Sequence, residues 1–149
     1  EISCSLVGSE MCIRDRSWRV SGYSTSAATV KTVYTAEITN ATKTHTAKIG
    51  LMYPSDYGYA TTPDYWTTNL FDYDTAAKNK DWLFLGSYEW LLSPNSSTPS
   101  SAWVVNSSGS AYHLNSVISS IAVRPSFYLL SSVNFAGGDG TKNSPIRIN

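Results

Sequence analysis

The sequence predicts a fold built mainly of short strands, with one short helical stretch. Three observations lead there. Ser, Thr, Asn and Tyr are spread along the whole chain. The apolar runs between them are short and enriched in β-branched and aromatic residues, as strands are. Turn-forming residues separate these runs at intervals that favour strands over helices.

Taken in order, Val30 to Ile38 (VKTVYTAEI) and Lys48 to Tyr53 (KIGLMY) have the composition of strands, and Pro54-Ser55-Asp56 stops the second. Asp81 to Leu92 (DWLFLGSYEWLL) is the most apolar segment and reads as core, two short strands with Gly86 at a bend or bulge between them. Ala102 to Val105 and Ala111 to Leu114 are the arms of a hairpin around the turn Asn106-Ser107-Ser108-Gly109. Val123 to Leu130 (VRPSFYLL) is a closing strand, with Pro125 placing that point at an edge or a bulge. The helical stretch falls within Tyr65 to Lys80 (YWTTNLFDYDTAAKNK). The echo of Ser55-Asp56-Tyr57 in Pro63-Asp64-Tyr65 is too short to signal a repeat architecture.

Residues 1–16 (EISCSLVGSEMCIRDR) stand apart from this pattern. Leu6 to Asp15 resembles the translation of a transposase adapter used to build DNA sequencing libraries. The resemblance implies that 1–16 is an adapter-derived segment and that 17–149 is a single domain, truncated at its N-terminus. The other reading of the segment is a strand over Ile2 to Val7. Both cysteines, Cys4 and Cys12, lie in it, so 17–149 offers neither a disulfide framework nor a thiolate metal site.

The five Trp and ten Tyr all lie in 17–149, and their large buried areas suffice for a core without covalent staples. Nine Lys and Arg face eight Asp and Glu there, with no basic run. A phosphate-neutralising surface is unsupported, and no nucleic-acid partner is expected. No apolar stretch reaches the roughly 18 residues of a membrane span, so no membrane contact by this domain is expected either.

GLMYPSDYGYA (50–60), DWLFLGSYEWLLSPNSS (81–97), VRPSFYLLSSV (123–133) and GGDGTKNSPIRI (137–148), with the weaker WRVSGYST (18–25), carry a resemblance that covers essentially all of 17–149. Together they resemble a bacterial domain family of unknown function found in surface-exposed proteins of Gram-positive gut bacteria. That family in turn resembles the C-type-lectin-like superfamily, a fold shared with formylglycine-generating enzymes and with variable receptor-binding proteins of phages. The resemblance implies an α+β domain, C-type-lectin-like, of mostly antiparallel strands with long loops. It also implies a secreted or cell-surface location. Members often carry strands and a helix upstream of residue 17, and some place paired cysteines around the stretch that is Tyr65 to Lys80 here, where this chain has none.

Candidate chemistry is sparse. His45 and His113 lack the Gly-x-Ser-x-Gly elbow that would seat a nucleophilic serine beside them. Formylglycine-generating chemistry needs reactive cysteines, which 17–149 does not have. The calcium sites of sugar-binding C-type lectins use Glu-Pro-Asn and Trp-Asn-Asp motifs. Here Ser93-Pro94-Asn95 lacks the carboxylate and Trp103-Val104-Val105 lacks the oxygen ligands that a hard cation needs. Asp72, Asp74 and Asp81 lack the glycine and distal Glu of a calcium loop, and Gly137 to Thr141 (GGDGT) lacks the Lys-Ser/Thr of a phosphate cradle. No metal and no cofactor is therefore expected. Glu37, Asp56 and Glu89 are dispersed acids, two of which could pair as glycosidase carboxylates do. Asn40-Ala41-Thr42, Asn95-Ser96-Ser97 and Asn106-Ser107-Ser108 match the N-glycosylation pattern, which so polar a composition produces by coincidence.

The surface between residues 95 and 115 stands out, because it mixes adaptable polar side chains with rigid aromatic ones, as binding surfaces do. Asn95, Ser96, Trp103, Asn106, Tyr112, His113 and Asn115 are the expected ligand-binding residues. The expected function is a non-catalytic extracellular recognition module with a glycan or surface protein as ligand. Its rivals are a structural spacer or subunit-packing domain of a surface or pilus-like assembly, and a carboxylate-dependent hydrolase.

Overall fold

The computed structural model describes residues 2–4, 13, 15–20, 22, 28–41, 43–114, 117–139 and 143–148. In chain order the first half contains β1 (Ile2–Cys4), β2 (Arg16–Val20), α1 (Val30–Thr39), β3 (Lys43–Ala47), β4 (Ile49–Leu51), α2 (Pro54–Tyr59) and α3 (Thr75–Lys78). Among the described residues the elements that follow are strands: β5 (Glu89–Pro94), β6 (Ala102–Val105), β7 (Ala111–Leu114), β8 (Pro125–Phe127), β9 (Phe135–Gly137) and β10 (Ile146–Ile148). The architecture is α+β, with the strands divided among four small sheets.

Two of those sheets are two-stranded, β2 with β3 and β4 with β8, both antiparallel. A third, β5-β6-β7, is antiparallel throughout, while β10 pairs antiparallel with β9 and parallel with β1. The Leu92 amide donates to the Met52 carbonyl at 2.9 Å, which fastens the β5 sheet to the end of β4.

The segment expected as a first strand is the helix α1. Thr29 caps it by accepting from the Thr32 amide, and Val30, Val33 and Glu37 turn one face inward at helical spacing. Its threonines satisfy their hydroxyls within the helix, Thr35 donating to the Lys31 carbonyl at 2.9 Å and Thr39 to the Thr35 carbonyl at 2.8 Å. Packing of the apolar face and this back-bonding outweigh the strand preference of a β-branched composition. Pro54-Ser55-Asp56 is likewise more than a stop. Pro54 opens α2, and the Asp56 Oδ2 accepts the Tyr53 amide at 2.9 Å.

The stretch Tyr65 to Lys80 holds short 3-10 turns at Pro63–Tyr65 and Leu70–Asp72 before α3, which Asp74 caps through the amides of Ala76 and Ala77. In Asp81 to Leu92, only the half from Glu89 is a strand. Residues 81–88 form a loop in which Gly86 takes a φ of 76°, a left-handed conformation suited to glycine. The expected closing strand shrinks to β8, with Pro125 opposite Leu51.

The hairpin has the expected arms. Its turn runs from Asn106 to Ser110: the Asn106 amide donates to the Ser110 carbonyl, the Gly109 amide donates to the Asn106 carbonyl, and Gly109 takes a φ of 94°, a left-handed conformation suited to glycine. The core fills the space between α1, α2, the 3-10 turns and the β5-β6-β7 sheet. Val30, Val33, Tyr57, Leu70, Tyr73, Leu91, Trp103, Val105 and Ala111 pack there. Its phenols are satisfied by backbone carbonyls, Tyr57 donating to Gly109 at 2.7 Å and Tyr73 to Gly58 at 3.2 Å.

Candidate functional site

Trp18, on β2, lies flat against β4. A Cβ at Gly50 would come within 2.7 Å of its ring, so the absence of a side chain there is what admits the indole. The Trp18 Nε1 donates to the Ala47 carbonyl at 3.0 Å. Tyr53 and Tyr128 flank the indole at centroid distances of 6.2 and 5.7 Å. The Tyr53 hydroxyl accepts the Arg19 amide at 2.8 Å and donates to the Arg19 carbonyl at 3.1 Å, serving the side of β2 that faces away from β3. Tyr128 follows β8 directly, and the Arg16 guanidinium lies 3.7 Å above its ring centroid.

Around this aromatic seat the surface opens into a cleft with two lobes. The first, of about 380 Å³, is walled mainly by Trp18, Tyr59, Trp82, Phe127 and Arg124. The second, of about 410 Å³, is walled mainly by Ser17, Arg19, Tyr34, Glu37 and Tyr53. Asp56 and Tyr128 line both. Both volumes fall in the range of small-molecule sites. Tyr34 of the second lobe lies edge-on to Tyr59 of the first at 6.1 Å, and Tyr59 edge-on to Trp66 at 5.0 Å. Trp82 is 78% exposed, an unusual cost for so large an apolar surface.

The carboxylates of the cleft are anchored. Glu37 is buried and accepts hydrogen bonds from the Ser55 amide, at 3.1 Å, and from the Ser55 hydroxyl. Asp56 gives one oxygen to the Tyr53 amide, and crowding by the surrounding protein raises its pKa despite that hydrogen bond. Glu37 and Asp56 thus meet at the same lobe, while Glu89 does not line it. Glu89 is buried behind the first lobe in a salt bridge with Arg124. Asp81, close behind, gives Oδ1 to the Leu83 amide at 2.9 Å, and burial is the main cause that pushes its pKa up to about 6. Leu83 is held at its other end by Arg124, whose Nη2 donates to the Leu83 carbonyl at 2.6 Å. These bonds set the loop that presents Trp82.

The expected ligand-binding residues lie elsewhere, and none of those described lines either lobe. Trp103 is fully buried, because β6 is the middle strand of its sheet and is covered on both sides, so its indole offers no ligand surface. Asn95 is buried and accepts the Ser97 amide at 2.8 Å. Asn106 accepts from the amides of Ser108 and Ser110 and from the Ser108 hydroxyl, which is turn-building work. Ser96 is exposed. Tyr112 and His113 are half-buried, Tyr112 edge-on to Phe71 at 5.8 Å and His113 opposite Trp103. Burial raises the Tyr112 pKa, and a hydrogen bond with Tyr88 adds to it. Asn115 lies outside the described residues.

Sequence reasoning missed Trp18, Tyr59, Trp82 and Tyr128 as site residues. The usable signal was the crowding of Tyr53, Tyr57 and Tyr59 around Asp56, a concentration of rings and a carboxylate that a strand stop does not need. Among the described residues, no group of three or more His, Cys, Asp or Glu comes together in a way that could hold a metal ion. No helix among them is long and apolar enough to cross a membrane. Comparison with family models, with curated proteins and with solved structures returns no match.

Proposed function

We propose that this protein is a non-catalytic recognition domain of the cell surface or extracellular space, and that it binds a glycan in the two-lobed cleft. One observation carries the reading: the cleft joins exposed aromatic faces, Trp82 above all, to hydrogen-bonding groups at Asp56 and Arg19. Sugars offer the complement of such a surface, an apolar C–H face and a rim of hydroxyls, and Trp and Tyr present contact area at small entropic cost. The reading of Glu37 and Asp56 as a hydrolytic pair is weaker. Both carboxylates are engaged at the start of α2, where they satisfy backbone amides. The α+β layout with small antiparallel sheets is compatible with a C-type-lectin-like fold, and the sequence resemblance supports the surface location.

The test is a glycan array probed with the parent protein and with Trp82→Ala. Because Trp82 is largely exposed, its loss should leave the melting curve in place. Glycan binding by the parent that Trp82→Ala abolishes or severely weakens supports the proposal. Binding only to proteins, or glycan binding indifferent to Trp82→Ala, overturns it.

A further inference from the structure

Building on that reading, we infer that the ligand is a neutral, unbranched oligosaccharide lying across both lobes, rather than a single terminal sugar. The argument starts from the waist of the cleft. The lobes of about 380 and 410 Å³ have only Asp56 and Tyr128 in common among their lining residues. A ligand that uses both must therefore cross these two side chains, which asks for a chain with successive rings.

The waist is equipped for that crossing. Asp56 is exposed, and while its Oδ2 holds the Tyr53 amide, its Oδ1 makes no hydrogen bond among the described residues. That oxygen is an acceptor available to sugar hydroxyls on either side. Tyr128 supplies the ring beneath, kept in place by Trp18 and Arg16. The lobes on either side differ in kind. Tyr59, Trp82 and Phe127, with Trp18 buried beneath them, give the first an apolar wall suited to stacking against a ring face. Ser17, Arg19 and Tyr34 give the second a more polar wall. One sugar unit cannot draw on both.

Neutrality follows from the charges. Arg16 and Arg19 in the second lobe face Glu37 and Asp56, and Arg124 in the first is paired with Glu89. No excess positive charge remains to select a uronic or sialic acid chain, and the open oxygen at the waist repels one.

The experiment is isothermal titration of the full chain with glucose, cellobiose and cellotetraose, and with maltotetraose, chitotetraose and an oligogalacturonide of equal length. At least one neutral tetrasaccharide is expected to bind roughly 100-fold more tightly than its monosaccharide, the gain that linked subsites give. Trp82→Ala in one lobe and Tyr34→Ala in the other should each weaken that tetrasaccharide roughly tenfold, the size of effect expected of an aromatic contact in a binding site. A monosaccharide that binds within a few-fold of its tetramer, with Trp82→Ala still damaging, overturns the chain-binding inference and leaves the glycan site standing. Preference for the oligogalacturonide overturns neutrality. Binding of none of these probes, together with an empty glycan array, overturns the inference and the proposed function together.

Discussion

Arg124 grips Glu89 through Nε at 3.0 Å and through Nη2 at 2.7 and 2.9 Å, from a position that also lines the first lobe. Glu89 is 2% exposed and Arg124 26%. Removing the arginine strands a buried carboxylate, whereas removing both partners does not. Arg124→Met is expected to lose about 3–5 kcal/mol, the usual cost of breaking a buried pair. Glu89→Leu combined with Arg124→Met should lose less than Arg124→Met alone. Urea melts of the two single variants and the double variant measure this directly, and additive losses would contradict it.

Asp81 makes stability depend on pH in an unusual direction. Its pKa is raised by burial from 3.8 to about 6, so the folded protein binds the proton more tightly than the unfolded chain does. Its contribution is therefore most favourable below about pH 4 and is lost as pH rises toward 6 and beyond. Asp81→Asn keeps an oxygen for the Leu83 amide and removes the buried charge. The variant is expected to gain on the order of 1 kcal/mol at pH 7 and to show a flatter stability profile between pH 4 and 6. Thermal melts across that range check both effects.

Gly50 is the floor on which Trp18 rests. A methyl group there would meet three ring atoms of the indole at 2.7 to 2.8 Å, so Gly50→Ala must push Trp18 out toward the cleft. The overpacking is expected to cost about 1–3 kcal/mol. It should also weaken ligand binding, since Trp18 underlies the first lobe. Tryptophan fluorescence and titration on the same sample report the two effects.

The hairpin and the cleft are alternative ligand surfaces, and one double variant separates them. Tyr112→Ala with His113→Ala removes half-buried side chains that do not line the cleft, one of them packed on Phe71. A loss of about 1–3 kcal/mol in stability is expected with binding within twofold of the parent. Loss of binding in a folded variant would move the site to the hairpin.

At the cleft, the segment 1–16 contributes Arg16, whose guanidinium covers Tyr128 and lies 5.7 Å from the Trp18 ring centroid. Deleting the segment removes this cation–π contact, the first pair of the β2–β3 ladder, the Ile13–Leu129 bridge and the edge strand β1 from its place beside β10. The expected cost is on the order of 1 kcal/mol, a few degrees in Tm. A much larger drop in the melting midpoint would mean that the segment is integral to the fold.

What the sequence revealed was what local chemistry decides. The hairpin was legible because Asn106 and Gly109 force one turn between two apolar arms, and no distant contact is needed to choose it. α1 was not legible, since its threonines read as strand formers until Val30 and Val33 are seen packed in the core and the hydroxyls seen bonded within the helix. The cleft was hidden for a different reason. Trp18 and Tyr128 lie far apart in the chain, and nothing in either neighbourhood announces that β4 will pair with β8 and bring them to one seat.

The same long reach of the β4–β8 pair governs the order in which the molecule assembles. β6 and β7 close over a single turn, whereas Ile49 must find Phe127 across most of the intervening chain. Loop-closure entropy makes the first pairing early and the second late. The hairpin and its core partners are thus the expected nucleus, and substitutions there are expected to slow folding in stopped-flow refolding. Substitutions at the β4–β8 seam leave that rate nearly alone and hasten unfolding instead. The cleft is in this sense the last part of the protein to exist on the way in and the first to be lost on the way out.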